Sequence, residues 1–165
     1  MAQQLHSELN LSTEPPEHLA TWRVFLECAW AVIDILDAEM QAERGMTIRW
    51  YDVLVHVENA ENRLRMTEVA NRILASKSGL TRVIDRMEEA GLVRRERPPD
   101  DRRAINVFIT PAGREALSSA RAVHRRGIQE HFLSQLTDSE ATALAQTLEK
   151  VREHVRPLRP GRVSG

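Results

Sequence analysis

The feature that most constrains this chain is a change of periodicity at Gly91. Before it, Leu80, Val83, Ile84 and Met87 recur at helical spacing and make one apolar stripe. After it the pattern turns extended. Leu92 to Arg97 reads as one short strand, and Ala104 to Ile109 as a second, with Ile105, Val107 and Ile109 alternating against Asn106 and Phe108. Pro98-Pro99-Asp100-Asp101-Arg102-Arg103 between them is a charged turn. Gly91 suits the left-handed position just past a helix end, and Leu92 can fold back on Met87 as the hydrophobic contact that accompanies it. A helix that stops on glycine and runs at once into a hairpin leaves few topologies open.

The segment upstream narrows them further. Ile48 to Ala60 reads as a helix, with Tyr51, Leu54, Val55 and Val57 among its apolar residues. Glu61-Asn62-Arg63 is a polar turn, and a short helix follows near Thr67 to Leu74. Ser76 is a good N-cap for the helix that ends at Gly91. Three short helices followed by a hairpin is the order of a winged helix-turn-helix, in which the second helix of the pair enters the major groove. The expected fold is mainly α with a small β-hairpin wing.

Longer helices flank this lobe. Residues 1–16 read as a flexible arm, and residues 17–44 as one helix stopped by Gly45. Leu19, Trp22, Leu26, Ala29, Ile33, Leu36 and Met40 step along that helix by three and four, a heptad-like seam that needs a partner. Residues 45–110 form the winged lobe. Residues 111–156 carry two more helices, one opening on Pro111 and one on the capping box Thr137-Asp138-Ser139-Glu140. In the second, Leu144, Leu148, Val151 and Val155 continue an apolar stripe. The expectation is a homodimer in which Leu19, Trp22, Leu26, Ile33 and Leu36 bury against Leu144, Leu148 and Val151. Residues 157–165 read as a flexible tail.

Charge points the same way. The formal balance of −1 hides an asymmetry: residues 1–61 carry three basic and eleven acidic side chains, residues 62–165 twenty and thirteen. A basic half joined to an acidic half is compatible with nucleic acid, although a solvated surface explains it about as well. The one cysteine, Cys28, forbids an intramolecular disulfide and fits a reducing compartment. No apolar run is long enough to span a membrane, and the N-terminus lacks a secretory pattern, so a cytoplasmic location is expected.

On the helix before Gly91, Ser78, Thr81, Arg82 and Asp85 fall on a face away from the apolar stripe, with Lys77 in the first turn. Ser78, Gly79 and Thr81 are small and let a backbone approach DNA. Lys77, Arg82 and Arg86 can reach phosphates or guanine edges. At the wing tip, Arg103 can enter a narrow minor groove, and Asp101, two residues away, can hold it extended; Arg102 shares the tip. Singly, each feature is also what an amphipathic surface helix or a solvated turn would show.

Together these residues resemble the MarR family of transcriptional regulators. Thr67-Glu68-Val69-Ala70 looks like the start of the family's third helix, and Ser76-Lys77-Ser78-Gly79-Leu80-Thr81-Arg82 like the beginning of its recognition helix. Met87-Glu88-Glu89-Ala90-Gly91-Leu92-Val93 resembles the helix end and first wing strand. Asp101-Arg102-Arg103-Ala104, then Ile109-Thr110-Pro111-Ala112-Gly113, resembles the wing and the junction after it. The resemblance implies sequence-specific binding of a pseudo-palindromic duplex by a homodimer, most often as a ligand-responsive repressor. It makes Asp101 and Arg103 the wing pair, and the first and last helices the dimer interface.

Other features carry less. The family's habit of binding small aromatic anions between the dimer helices and the DNA-binding lobe makes Trp22, Trp30, Trp50, Tyr51, Asp52 and His56 candidates for an effector pocket, although each aromatic taken singly reads more readily as core. Some family members sense oxidants through a cysteine of the first helix, but Cys28 has no tyrosine near it in sequence and reads as structural. His124 and His131, seven apart, could share a helix face, yet nothing joins them into a metal site. No cofactor is expected. No nucleophile elbow, phosphate loop, HExxH or dinucleotide fingerprint occurs, which argues against an enzyme. The remaining alternative is a winged-helix protein-interaction module without specific DNA binding.

Overall fold

A computed structural model of the chain describes residues 16–73, 77–99, 101 and 104–157. The expected cap Ser76, Asp100, Arg102 and Arg103 of the wing tip, the arm at 1–15 and the tail at 158–165 lie outside the described residues, as do the side chains of Lys77 and Ser78.

Helix α1 (Pro16–Arg44) runs 29 residues and stops at Gly45, whose φ of 62° is the left-handed turn that glycine adopts without cost. Helix α2 (Ile48–Glu58) starts on Thr47, whose hydroxyl accepts the Trp50 N–H at 3.1 Å. The next free amide at this end, Ile48 N–H, donates to Asp37 Oδ1 of α1 at 2.6 Å, so the start of α2 is fixed to α1. Strand β1 (Arg63–Arg65), helix α3 (Met66–Arg72) and helix α4 (Lys77–Glu89) follow. Strands β2 (Val93–Glu96) and β3 (Asn106–Ile109), helix α5 (Pro111–His131), a 3-10 turn (Leu133–Gln135) and helix α6 (Asp138–Val155) complete the chain.

The α4–β2 junction forms as the glycine suggested. Gly91 takes φ 71°; its N–H donates to Glu88 O and the Leu92 N–H to Met87 O, both at 2.9 Å. These are the paired bonds of a Schellman motif. The capping box of α6 also forms, with Glu140 N–H on the Thr137 hydroxyl at 3.3 Å and Thr137 N–H on the Glu140 carboxylate at 2.8 Å.

Two details of the wing differ from the sequence reading. Arg63, placed in a turn, begins a third strand, and the hairpin becomes an antiparallel sheet of order β1-β3-β2. Arg-Leu-Arg is too short to show a period. It is held by long-range pairing, with Leu64 opposite Val107. Two residues at positive φ, Glu61 and Asn62, turn the chain into it. Asn106, expected outward, is 9% exposed, because β3 is the central strand and Arg65 and Glu96 flank Asn106 on either side.

The core lies between α2, α4, the sheet and α5. Val53, Leu54, Val57, Val69, Leu80, Ile84, Met87, Val107 and Leu117 are buried in it, each worth roughly 1.5–3 kcal/mol where a large side chain is fully removed from water. The C-terminal half of α1 joins this core through Met40. Leu36, expected on the intermolecular seam, turns inward instead: it is 4% exposed and packs over Gly127 of α5, where the missing side chain lets the helices approach. The rest of the seam is not covered by the protomer. Trp22, Ile33 and Val151 are 55%, 43% and 54% exposed, Leu148 is exposed, and Leu19, Leu26 and Leu144 are half-buried. Cys28, read as structural, is exposed on α1 and takes no part in the protomer core.

Candidate nucleic-acid interface

Helix α4 has two faces because Leu80, Ile84 and Met87 sink into the core. Thr81, Arg82 and Arg86 are thereby turned to solvent, and Gly79 is half-buried among them. Arg82 and Arg86 are one turn apart and share a side. Asp85, grouped with them by sequence, faces elsewhere: its Oδ1 accepts Arg95 Nη1 of β2 at 2.6 Å.

The wing carries further cations. Arg94 lies over the Phe108 ring at 4.5 Å from its centroid, across the strand pair. Near the tip, Asp101 N–H donates to Pro98 O at 3.3 Å and Ala104 N–H to Asp101 O at 3.0 Å. The Asp101 carboxylate lies 3.8 Å from Arg65 Nη1 of β1. Its expected partner Arg103 lies outside the described residues.

Within one protomer the six candidate effector residues do not converge. Trp50 lines a cavity of about 600 Å³ between α1 and α4, where Asp34 and Asp37 stand on one wall and Arg82 and Arg86 on the other. Tyr51 lines a second cavity of about 310 Å³ with His124, Arg121 and Arg125 of α5. Asp52 pairs with His56 one turn on, at 3.4 Å. Burial raises the Asp52 carboxyl above its ordinary value, partly opposed by His56. Trp22 and Trp30 are exposed on α1, where Trp22 stacks on Phe25 at 5.8 Å.

Sequence reasoning missed the α5 residues of the second cavity. The Tyr51 and His124 rings are 4.5 Å apart, and Arg121 is paired with Glu58 of α2. Burial raises the Tyr51 phenol and lowers the His124 imidazole. The spacing of Arg121, His124, Arg125 and Ile128 on one helix was the available signal. His131, read together with His124, faces another way and meets Glu39 of α1 at 2.6 Å. No group of three possible metal ligands occurs among the described residues, and no described helix is long and apolar enough to cross a membrane.

An α3–α4 helix pair, backed by α2 and followed at once by the β2–β3 hairpin, which β1 from before the pair completes as a three-stranded sheet, defines a winged helix-turn-helix. Comparison with known proteins supplies the family. Residues 44–104 match the profile of the MarR family. The chain is 30% identical over 110 residues to the HTH-type transcriptional repressor IacR of Pseudomonas putida, covering 67% of this chain but only 64%, under two thirds, of that repressor. Its fold superposes on AbsC, a MarR family regulator of Streptomyces coelicolor, with a TM-score of 0.78 and 32% identity, covering 87% of this chain and 97% of AbsC. It also superposes on Sco3205, a MarR family regulator from the same organism solved in complex with DNA, with a TM-score of 0.79 and 29% identity over 92% and 94% of the two chains. The chain belongs to the MarR family of winged helix-turn-helix transcriptional regulators, which are not enzymes.

Proposed function

We propose that this protein is a cytoplasmic repressor that binds a pseudo-palindromic duplex as a homodimer and releases it on binding a small aromatic or anionic effector. The observation that carries the reading is the two-faced α4. A buried stripe of Leu80, Ile84 and Met87 holds Thr81, Arg82 and Arg86 outward on a rigid scaffold. Rigid helices place base-contacting groups better than loops do. Lys77, Ser78 and Gly79 belong to the first turn of the same helix. Of the relatives, IacR is described as a repressor and Sco3205 was solved with DNA.

The effector reading rests on the inter-lobe cavity. Arg82 and Arg86 form one of its walls, and Trp50 offers a ring to stack on. A carboxylate or phenolate held there competes for the arginines that the duplex needs. Binding the effector and binding DNA are then mutually weakening by linkage.

Selection of bound sequences from a random duplex pool tests the DNA reading. An inverted repeat with half-sites about one helical turn apart is expected. A pool that stays random after repeated rounds leaves a protein-interaction module as the better description.

A further inference from the structure

Only Ala90, Gly91 and Leu92 separate the recognition helix α4 from the wing strand β2. The link turns on a glycine at φ 71°, a conformation that constrains the hinge but not the far end of the strand. The far end is tied by Arg95. Its backbone N–H donates to Glu88 Oε1 at 2.7 Å. Its guanidinium donates twice to Glu88 Oε2, from Nε at 2.8 Å and from Nη2 at 2.6 Å. The remaining arm, Nη1, reaches Asp85 Oδ1 at 2.6 Å.

This arrangement does three things at once. β2 is an edge strand, and Glu88 accepts an edge amide that has no ladder partner. The planar guanidinium spans two carboxylates one helical turn apart, a fork that lysine cannot reproduce. The two acidic residues sit on α4 beside Arg82 and Arg86, so whatever holds the wing also sets its angle to those arginines.

We infer that Arg95, acting through Glu88 and Asp85, is a positioning residue that fixes the wing against the recognition helix, so that both meet one duplex in a single register. The inference rests on the DNA-binding reading proposed above. It assigns no contact with DNA to Arg95. Its effect passes through the wing, because α4 is anchored in the core by Leu80, Ile84 and Met87 whether or not the strut is present.

The test is a set of binding titrations on the duplex that the wild-type protein selects from a random pool. Arg95→Ala should weaken binding about tenfold, within the range of measured pair couplings. Arg95→Lys should fall between, since one carboxylate at most is retained. Glu88→Gln removes the charge, keeps an acceptor for the Arg95 amide, and guards against a variant that does not fold. The decisive comparison adds Arg103→Ala and, separately, Arg82→Ala to the Arg95→Ala protein. The cost of Arg103→Ala should shrink in that background, while the cost of Arg82→Ala stays as in wild type. Additive losses for Arg95 and Arg103, or equal shrinkage for Arg82, would overturn the inference. Amide hydrogen exchange on the DNA-free protein gives a separate readout. Glu88→Ala should speed exchange of the Arg95 amide at least tenfold and leave the Leu92 amide, held by Met87, unchanged. Unchanged exchange at Arg95 would show that the strut does not hold the wing, even if no duplex is selected and the DNA reading itself fails.

Discussion

The carbonyl oxygen of Leu92 lies so close over Gly113 that a β-carbon at Gly113 would fall 2.0 Å from it. That carbonyl accepts the Thr110 N–H and the Thr110 hydroxyl, both at 3.1 Å. It therefore cannot retreat without breaking the start of α5. Gly113→Ala should destabilise the fold by about 1–3 kcal/mol, the usual range for overpacking. Urea unfolding measures it, and a midpoint equal to wild type would show that the junction is soft.

Thr110 joins the wing to α5 by a different route. Its hydroxyl accepts the Gly113 N–H at 2.9 Å as N-cap and donates to Gly91 O at 2.6 Å. Thr110→Val keeps the shape and removes the bond from Gly113 N–H together with the hydroxyl proton shared between Gly91 O and Leu92 O. A loss of about 1–2 kcal/mol is expected, with Thr110→Ser close to wild type. A Thr110→Val protein as stable as wild type, with the loss falling on Thr110→Ser, would assign the effect to the methyl group rather than the hydroxyl.

Much of this junction was legible in the sequence, because it is local chemistry. Gly91, Thr110-Pro111 and Thr137-Asp138-Ser139-Glu140 each announce a helix end within four residues of themselves. Strand β1 was not legible, since Arg63–Arg65 is fixed only by pairing with Asn106–Phe108 more than forty positions away. The same limit governed Leu36. Its heptad spacing was correct, but spacing does not say whether the partner is Gly127 of the same chain or a second copy. On the recognition helix, the apolar stripe correctly turned Arg82 and Arg86 outward. Asp85 went astray because its partner Arg95 lies across the glycine hinge.

His124 gives a pH prediction. Burial beside Tyr51 holds its imidazole below the ordinary histidine value of about 6.5. The unfolded chain therefore binds that proton more readily than the folded one. The sign follows: stability is lost as pH falls below about 6.5 and is retained above it. His124→Phe should lose less stability than wild type between pH 7.5 and 5.5. Arg121 and Arg125 line the same cavity. Parallel melting curves for the two proteins would contradict the assignment.

Assembly is the next test. Trp22 and Ile33 on α1 and Val151 on α6 are more exposed than large apolar side chains normally are in a monomer. Sedimentation at micromolar concentration should give a dimer. Val151→Glu should shift it toward monomer and lower affinity for a two-half-site duplex more than for one half-site. A wild-type monomer at that concentration would remove the basis for palindromic recognition.

The central claim is that α4 reads duplex DNA through Arg82. It is tested most directly by titrating wild type and Arg82→Ala against the selected duplex and a scrambled one across a salt series. The account predicts that Arg82→Ala loses about 1–3 kcal/mol on the selected duplex and far less on the scrambled one, as expected for a base-edge contact. An equal loss on both duplexes with a shallower salt dependence would reduce Arg82 to a phosphate contact. Unchanged affinity on both would contradict the assignment of this helix face to DNA.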